Sequence, residues 1–210
     1  MSDRRVAAIP VQERGEVLLD ARVHGLMVDD RKQDAAGAWA HVRQGVLTRL
    51  QRVQSLLPGG VQLLFIEGYR FPSLQRRYFE EYSDELARAH PDWQAAELRE
   101  AASRFVSPPE IAPHSAGAAV DVTLIDHQGR ELDMGTRVNA SPKESDGACY
   151  TDAPNLSARA RTNPATLGHA MSEAGLINYG TEWWHWSFGD RYWALQTQRP
   201  AALYGPVELP

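Results

Sequence analysis

Four residues of this chain have the types and spacing for metal chemistry. His114 and Asp121 lie in "PHSAGAAVD", separated by six residues with Gly117 between them, and Glu182 and His185 lie in "GTEWWHW", separated by two tryptophans. A catalytic zinc takes three protein ligands of the His, Asp or Glu type and keeps its fourth position for water. The four residues supply that complement and leave one carboxylate over. A metal that only staples a fold has a closed shell and no use for a base beside it, so the spare Glu182 points to hydrolysis. Bound zinc lowers the pKa of water from about 15.7 to about 7, and a neighbouring Glu can take the remaining proton and pass it to a leaving amine. Cleavage of a peptide or amide bond is the expected chemistry. Arg70 follows an apolar run in "LLFIEGYRFP", at the kind of strand end where a scaffold presents a functional group.

The apolar pattern shows which elements must carry these groups. Trp39, Val42, Val46, Leu47, Leu50, Val53, Leu56 and Leu57 recur at three-to-four spacing and predict one helix over 33–57, ended by "PGG". Residues 61–66 are an apolar run of strand length. Pro72 and Ser73 open a second helix with Leu74, Tyr78, Phe79, Tyr82 and Leu86 as its buried side, and Asp92 caps a third that runs to about Phe105. "SPPEIAPH" is too proline-rich for regular structure and should deliver His114 on a rigid loop. Val120, Val122 and Leu124 share one face of a strand, Asp121 and Thr123 the other. "DHQG" then reads as a hairpin turn that leaves His127 exposed.

From 134 to 156 the chain is rich in Gly, Pro, Ser, Asn and Asp, and a loop of that length directly after the ligand strand reads as an active-site loop, a lid over the substrate, with a plain surface loop as the alternative. Asn163 and Pro164 open the last helix, as cap and first residue. The aromatic density of 177–195 predicts strands. Period two would put Glu182 and His185 on opposite faces, so Glu182 is expected in the turn after Gly180 and His185 within a strand. Trp183, Trp184, Trp186 and Trp193 are expected in the core, with Trp184 and Trp186 flanking the site away from the metal. His24, His41, His90 and His169 lack a matching partner and read as surface or hydrogen-bonded residues.

The 210 residues, 43% hydrophobic and 23% charged, suit one globular zinc-peptidase domain spanning 1–210. The net charge of −5 is spread along the chain and offers no basic stripe for nucleic acid. A single cysteine, Cys149, excludes an internal disulfide. No apolar run approaches the roughly 20 residues of a membrane span, and the N-terminus lacks the apolar stretch of a signal peptide, so the cytoplasm is the expected location. Nothing in the sequence specifies an oligomeric state.

These segments together resemble the zinc-dependent D-alanyl-D-alanine dipeptidases of the vancomycin-resistance type, part of a wider family of D,D-peptidases. The family pattern Ser-x-His-x-x-Gly-x-Ala-x-Asp is met by His114, Gly117, Ala119 and Asp121, Glu-x-x-His by Glu182 and His185, and Gly-Tyr-Arg by residues 68–70. "LDMGT" at 132–136 and "GLINYGTEWWH" at 175–185 also match, and the likeness runs in order from Val17 to Trp193. The resemblance implies an α+β fold of the D,D-peptidase or hedgehog-like kind, a small antiparallel sheet carrying the zinc site with helices packed on it. It further implies that His114, Asp121 and His185 bind Zn2+, that Glu182 is the general base, and that Arg70 polarises the scissile carbonyl.

Three positions depart from the family, all at the expected specificity pocket. The Ser that opens the first motif is Ala112, the Asp expected to hold a substrate ammonium aligns with Asn139, and an N-terminal aromatic hydroxyl aligns with Val23. Trp184 is the fourth residue expected near the substrate. The leading expectation is hydrolysis of a short peptide, a D,D-dipeptide such as D-alanyl-D-alanine. A biosynthetic tailoring amidase with altered specificity is the alternative, and a non-catalytic zinc-binding module a third, against which the retention of Glu182 and Arg70 argues.

Overall fold

The computed structural model describes residues 1 and 3–209, apart from the side chains at 158 and 159. Short elements open the chain: α1 (Arg4–Ala8), β1 (Leu18–Asp20), β2 (Met27–Val28) and β3 (His41–Arg43), the last pairing antiparallel with β1. α2 (Gln44–Leu56) then buries Val46, Leu47, Leu50 and Val53, the spacing of a one-sided helix. The helix predicted from residue 33 thus begins only at Gln44. The Asp34 carboxylate accepts from the N–H groups of Ala36, Ala38 and Trp39, and residues 41–43 are taken by β1. A side chain that gathers backbone donors into a turn competes with a helix, and apolar spacing does not register that competition.

β4 (Val61–Glu67) enters a five-stranded sheet of order β2-β4-β5-β7-β6, completed by β5 (Ala119–Asp126), β6 (Ile177–Asn178) and β7 (His185–Ser187). β4–β5, β5–β7 and β6–β7 are antiparallel, but β2 runs parallel to β4, so the sheet is mixed where an antiparallel one was expected. The physical reason is the connection, since β3 and α2 together form a crossover long enough to bring the chain back in the same direction. In β5, Val120, Val122 and Leu124 join one core with the buried residues of α2 and with Leu167 and Met171 of α5 (Ala158–Glu173), while Asp121 and Thr123 alternate to the other face. The predicted hairpin turn after β5 is present and His127 is exposed.

α3 (Pro72–Ala89) and α4 (Ala95–Ala102) pack on each other. On α3, Phe79 and, unexpectedly, Gln75 are the buried residues. α4 is capped by Gln94 in a reciprocal box with Glu97, not by Asp92. α5 starts after Ser157, whose hydroxyl accepts from Ala160 N–H, and carries Pro164 inside it. Asn163, expected as its cap, instead donates to the Asp133 carbonyl and ties the helix to the loop after β5. The aromatic C-terminal segment yields only β6 and β7, because Asp190 accepts from Tyr192 and Trp193 N–H and opens α6 (Arg191–Gln196). Its four tryptophans are buried as expected. Among the described residues, no helix is long and apolar enough to cross a membrane.

Gly68, just past β4, joins this framework to the candidate site. Its N–H donates to the Trp39 carbonyl at 2.7 Å, and its own carbonyl accepts from His114 Nδ1 at 2.6 Å. A Cβ at this position would collide with the His41 carbonyl. Gly68→Ala should therefore destabilise the protein by about 1–3 kcal/mol, the scale of overpacking a tight contact. The midpoint of urea unfolding measures it.

Candidate metal centre

Pairing of β5 with β7 sets Asp121 directly opposite His185, and residues so opposed project to the same face. His114 arrives from the side. Two short 3-10 turns, Pro109–Ile111 and His114–Ala116, replace the irregular loop expected there, and Gly117 ends the second at φ 63°. All three side chains are buried. Asp121 Oδ1 lies 3.0 Å from His185 Nδ1 and 3.4 Å from His114 Nε2, and the two ring nitrogens are 3.2 Å apart.

These residues fit zinc. Bonds of about 2.0–2.2 Å at tetrahedral angles place neighbouring donors roughly 3.3–3.6 Å apart, close to the spacing found. The tautomer agrees as well: His114 Nδ1 faces the Gly68 carbonyl, an acceptor, so the ring proton sits there and Nε2 turns a lone pair to the cluster. Burial works to raise the Asp121 pKa, but the two adjacent imidazoles outweigh it and hold the carboxyl well below its ordinary value. It is therefore ionised, as a ligand must be.

Glu182 lies between β6 and β7, as expected. Its N–H donates to the Tyr179 carbonyl at 2.8 Å, and its carbonyl accepts from His185 N–H at 3.1 Å. Asn178 Nδ2 donates to the carbonyls of both Glu182 and His185 at 3.0 Å, so one side-chain amide staples the connection that carries them. The Glu182 carboxylate stands beside the cluster rather than in it, with Oε2 3.9 Å from His185 Nδ1. Burial pushes its pKa up to about 7, against the attraction of His185.

Arg70 borders the same cleft, and its guanidinium is held in place. Glu67 accepts from Nε at 2.7 Å and Nη2 at 2.8 Å, Gln75 accepts from Nη1 at 2.8 Å, and the Tyr78 ring lies 5.3 Å away. A guanidinium has five N–H donors, so two are left for a ligand. Burial opposes both charges of the Glu67–Arg70 pair, yet each partner outweighs it, lowering the pKa of Glu67 and raising that of Arg70. Glu67, Gln75 and Asn178 were not singled out from the sequence. A charge closing an apolar run three residues before Arg70 was a usable signal for Glu67, whereas nothing local marks Gln75 or Asn178.

The cluster opens into a cleft of about 280 Å³ that Arg70, Glu182 and Asn139 help to line. Asn139 is exposed there at φ 62°. Trp184 is buried and lines an adjoining cavity, which shares Glu182 with the cleft. The other two expected substrate positions fall outside. Ala112 is buried just before Pro113, which does reach the cleft, and Val23 is 75% exposed on a tight 3-10 turn held by the Asp20 carboxylate. Segment 134–156 is tied down: Trp183 donates from N–H to the Cys149 carbonyl at 3.1 Å and from Nε1 to Thr136 Oγ1 at 2.8 Å. Its residues 139–143 border the adjoining cavity. Of the remaining histidines, His24 and His41 face backbone carbonyls and His90 stacks on Trp93, all away from the cluster.

Three buried ligands and a free carboxylate beside them form the donor set of a hydrolytic zinc metallopeptidase, not of a structural zinc site. A model of the peptidase M15 family, described as D-Ala-D-Ala dipeptidase, matches residues 31–201, and the chain belongs to that family. A D-alanyl-D-alanine dipeptidase of Synechocystis sp. (strain ATCC 27184 / PCC 6803 / Kazusa) is 27% identical over 239 aligned positions, covering 96% of each chain. The enzyme of that name from Escherichia coli K12 is 33% identical over 72 residues, 34% of this chain and 35% of its own. Among solved structures, the LdcB LD-carboxypeptidase shares the fold, with a TM-score of 0.52 at 16% identity over 89% of this chain and 73% of its own.

Two measurements test the centre. Alanine at His114, Asp121 or His185 should each lower zinc content to a small fraction of one ion per chain, and full occupancy by elemental analysis in all three would refute the ligand set. The raised Glu182 pKa has a signed consequence in the metal-free protein. Its folded value of about 7 exceeds the ordinary 4.5, so the folded state binds that proton more tightly and stability falls as pH rises from 4.5 through 7. Glu182→Gln, which cannot ionise, should match the unmodified protein at pH 4 and exceed it at pH 8, by at most about 3 kcal/mol. Thermal unfolding in chelator at both pH values checks this, and a difference independent of pH would contradict it.

Proposed function

We propose that this protein is a zinc-dependent dipeptidase that hydrolyses the amide of a short D,D-peptide such as D-alanyl-D-alanine, on a fold of the D,D-peptidase or hedgehog-like kind. The observation that carries the reading is Glu182, half-buried 3.9 Å from a ligand nitrogen yet outside the ligand set. The names of the curated relatives support the substrate class.

His114, Asp121 and His185 would hold Zn2+, which when bound would supply Lewis acidity and lower the pKa of water toward about 7. In this reading Glu182 accepts the proton that the attacking water gives up and hands it to the amine as the C–N bond breaks. A carboxylate whose proton affinity is raised by burial serves both halves of the transfer, accepting readily and releasing near neutral pH. Arg70 offers its unused N–H donors to the carbonyl oxygen as negative charge develops there, while Glu67 and Gln75 keep the guanidinium from turning away. A binding module without catalysis would have no use for either group.

The second reading, a tailoring amidase, is favoured by Asn139, which brings no charge to the cleft wall to meet a substrate ammonium. A neutral amide retains the hydrogen bond but not the charge assistance, worth about 1–2 kcal/mol. Kinetics on D,D-, L,D- and L,L-dipeptides with free and acylated amino termini separate the two. The dipeptidase reading expects the free D,D-peptides to be cleaved, with Glu182→Gln retaining zinc but losing most of kcat and Arg70→Ala lowering kcat/KM by about 10²–10³. Cleavage confined to acylated substrates would favour the amidase, and near-native kcat in Glu182→Gln would remove Glu182 as base.

A further inference from the structure

Beyond Glu182 a second cavity of about 390 Å³ adjoins the cleft, with Tyr82, Phe105, Ala140, Pro142 and Trp184 on its walls. Phe105, Asn139 and Glu182 line both spaces and form the neck between them. The chemistry changes across that neck. The cleft holds the imidazoles, Asp121 and Arg70, whereas the second cavity is predominantly aromatic and aliphatic, with Lys143 exposed at its edge. Phe105 keeps 41% of its surface exposed and packs edge-on against Tyr82 at 6.2 Å between ring centres. An aromatic pair left open beside a reactive centre is apolar surface that a ligand can cover.

Size points the same way. Binding sites for small ligands run from about 300 to 1,000 Å³, so the second cavity alone reaches that range. Two methyl side chains on a dipeptide seated at the metal cluster would leave it unfilled. A carboxylate entering it would meet Glu182 at the neck, answered only by the exposed Lys143 at the edge, and a hydroxyl would have Tyr82, Asn139, Ser141 and Lys143 as partners among walls that are otherwise apolar. An apolar group leaves none of its own polar atoms unpaired there.

We propose that this cavity is a specificity subsite for an apolar group of aromatic or long aliphatic size, carried by one of the two residues flanking the scissile bond. The inference rests on the dipeptidase reading above. The group has two possible sources, the residue on the amino side of that bond or the residue on its carboxyl side, and both present the same chemistry to the cavity.

The test compares D-alanyl-D-alanine, D-phenylalanyl-D-alanine and D-alanyl-D-phenylalanine on the zinc-loaded full chain. One phenylalanine peptide should exceed D-alanyl-D-alanine in kcat/KM by about tenfold or more, mostly through KM, which is the scale of filling an apolar pocket. Which of the two does so identifies the source. Tyr82→Ala, at a wall of the second cavity only, should reduce the ratio of the favoured peptide to D-alanyl-D-alanine by about tenfold. D-Alanyl-D-alanine as the best of the three, or a ratio unmoved by Tyr82→Ala, would overturn the subsite and leave the dipeptidase reading standing. Hydrolysis of none of the three would instead remove the dipeptidase reading. Calorimetry on the zinc-loaded Glu182→Gln protein then decides the subsite alone. Tighter binding of a phenylalanine peptide, lost on adding Tyr82→Ala, retains it, and equal or absent binding of all three ends it.

Discussion

Asp121 and His185 meet because β5 and β7 pair in one register, and the metal centre depends on that pairing more than on any loop. Side chains alternate along a strand, so a slip of one residue would turn the Asp121 carboxylate into the core and bring an apolar neighbour to the metal face. The register is held by what such a slip would expose. Val120, Val122 and Leu124 have no accessible surface, and Trp186, opposite Val120, is buried too. Asn178 secures the other end by bonding the carbonyls of Glu182 and His185. The third ligand reaches the same point through the Gly68 carbonyl, so the strand end that carries Arg70 also orients His114.

The charges on this face differ in how their burial is offset. Asp121 has two imidazoles, and Glu67 and Arg70 have each other, with Gln75 completing the guanidinium contacts. Each of these carboxylates is held ionised against burial by a close partner. Glu182 is drawn by His185 at 3.9 Å, by Arg70 and by the N-terminal ammonium, but these do not offset burial and the repulsion of Asp121, and its proton affinity rises. Two kinds of carboxylate result at the same end of the sheet, one fit to stay charged and one fit to exchange a proton near neutral pH. Leaving Glu182 under-partnered costs the metal-free fold some stability, the usual balance at sites where reactivity needs a group kept out of its most comfortable state.

The four metal-site residues and Arg70 were legible in the sequence because their chemistry is carried by residue type and short spacing. The strand at 61–66, the alternation along β5 and the placing of Glu182 in a turn with His185 in a strand were legible for the same reason, since each is a local pattern. Element starts were read less well. α4 and α5 begin where Gln94 and Ser157 collect backbone donors, and α2 begins only at Gln44 because Asp34 draws the N–H groups of Ala36, Ala38 and Trp39 into a turn; such side-chain bonds compete with apolar spacing without altering it. The parallel pairing of β2 was missed because two residues carry almost no pattern.

By itself the sequence determined which side chains could hold a metal, which carboxylate was left over, and which runs of residues had to be buried to bring them together. Only the tertiary structure decided that donors 64 and 71 residues apart converge to hydrogen-bond distance. It also decided that Glu67 and Gln75 grip Arg70, that Val23 and Ala112 lie outside the cleft, and that an apolar cavity opens beyond Glu182. The physical reason is that type and periodicity act over a few residues, while cavities and buried ion pairs arise where segments distant in the chain are packed against each other.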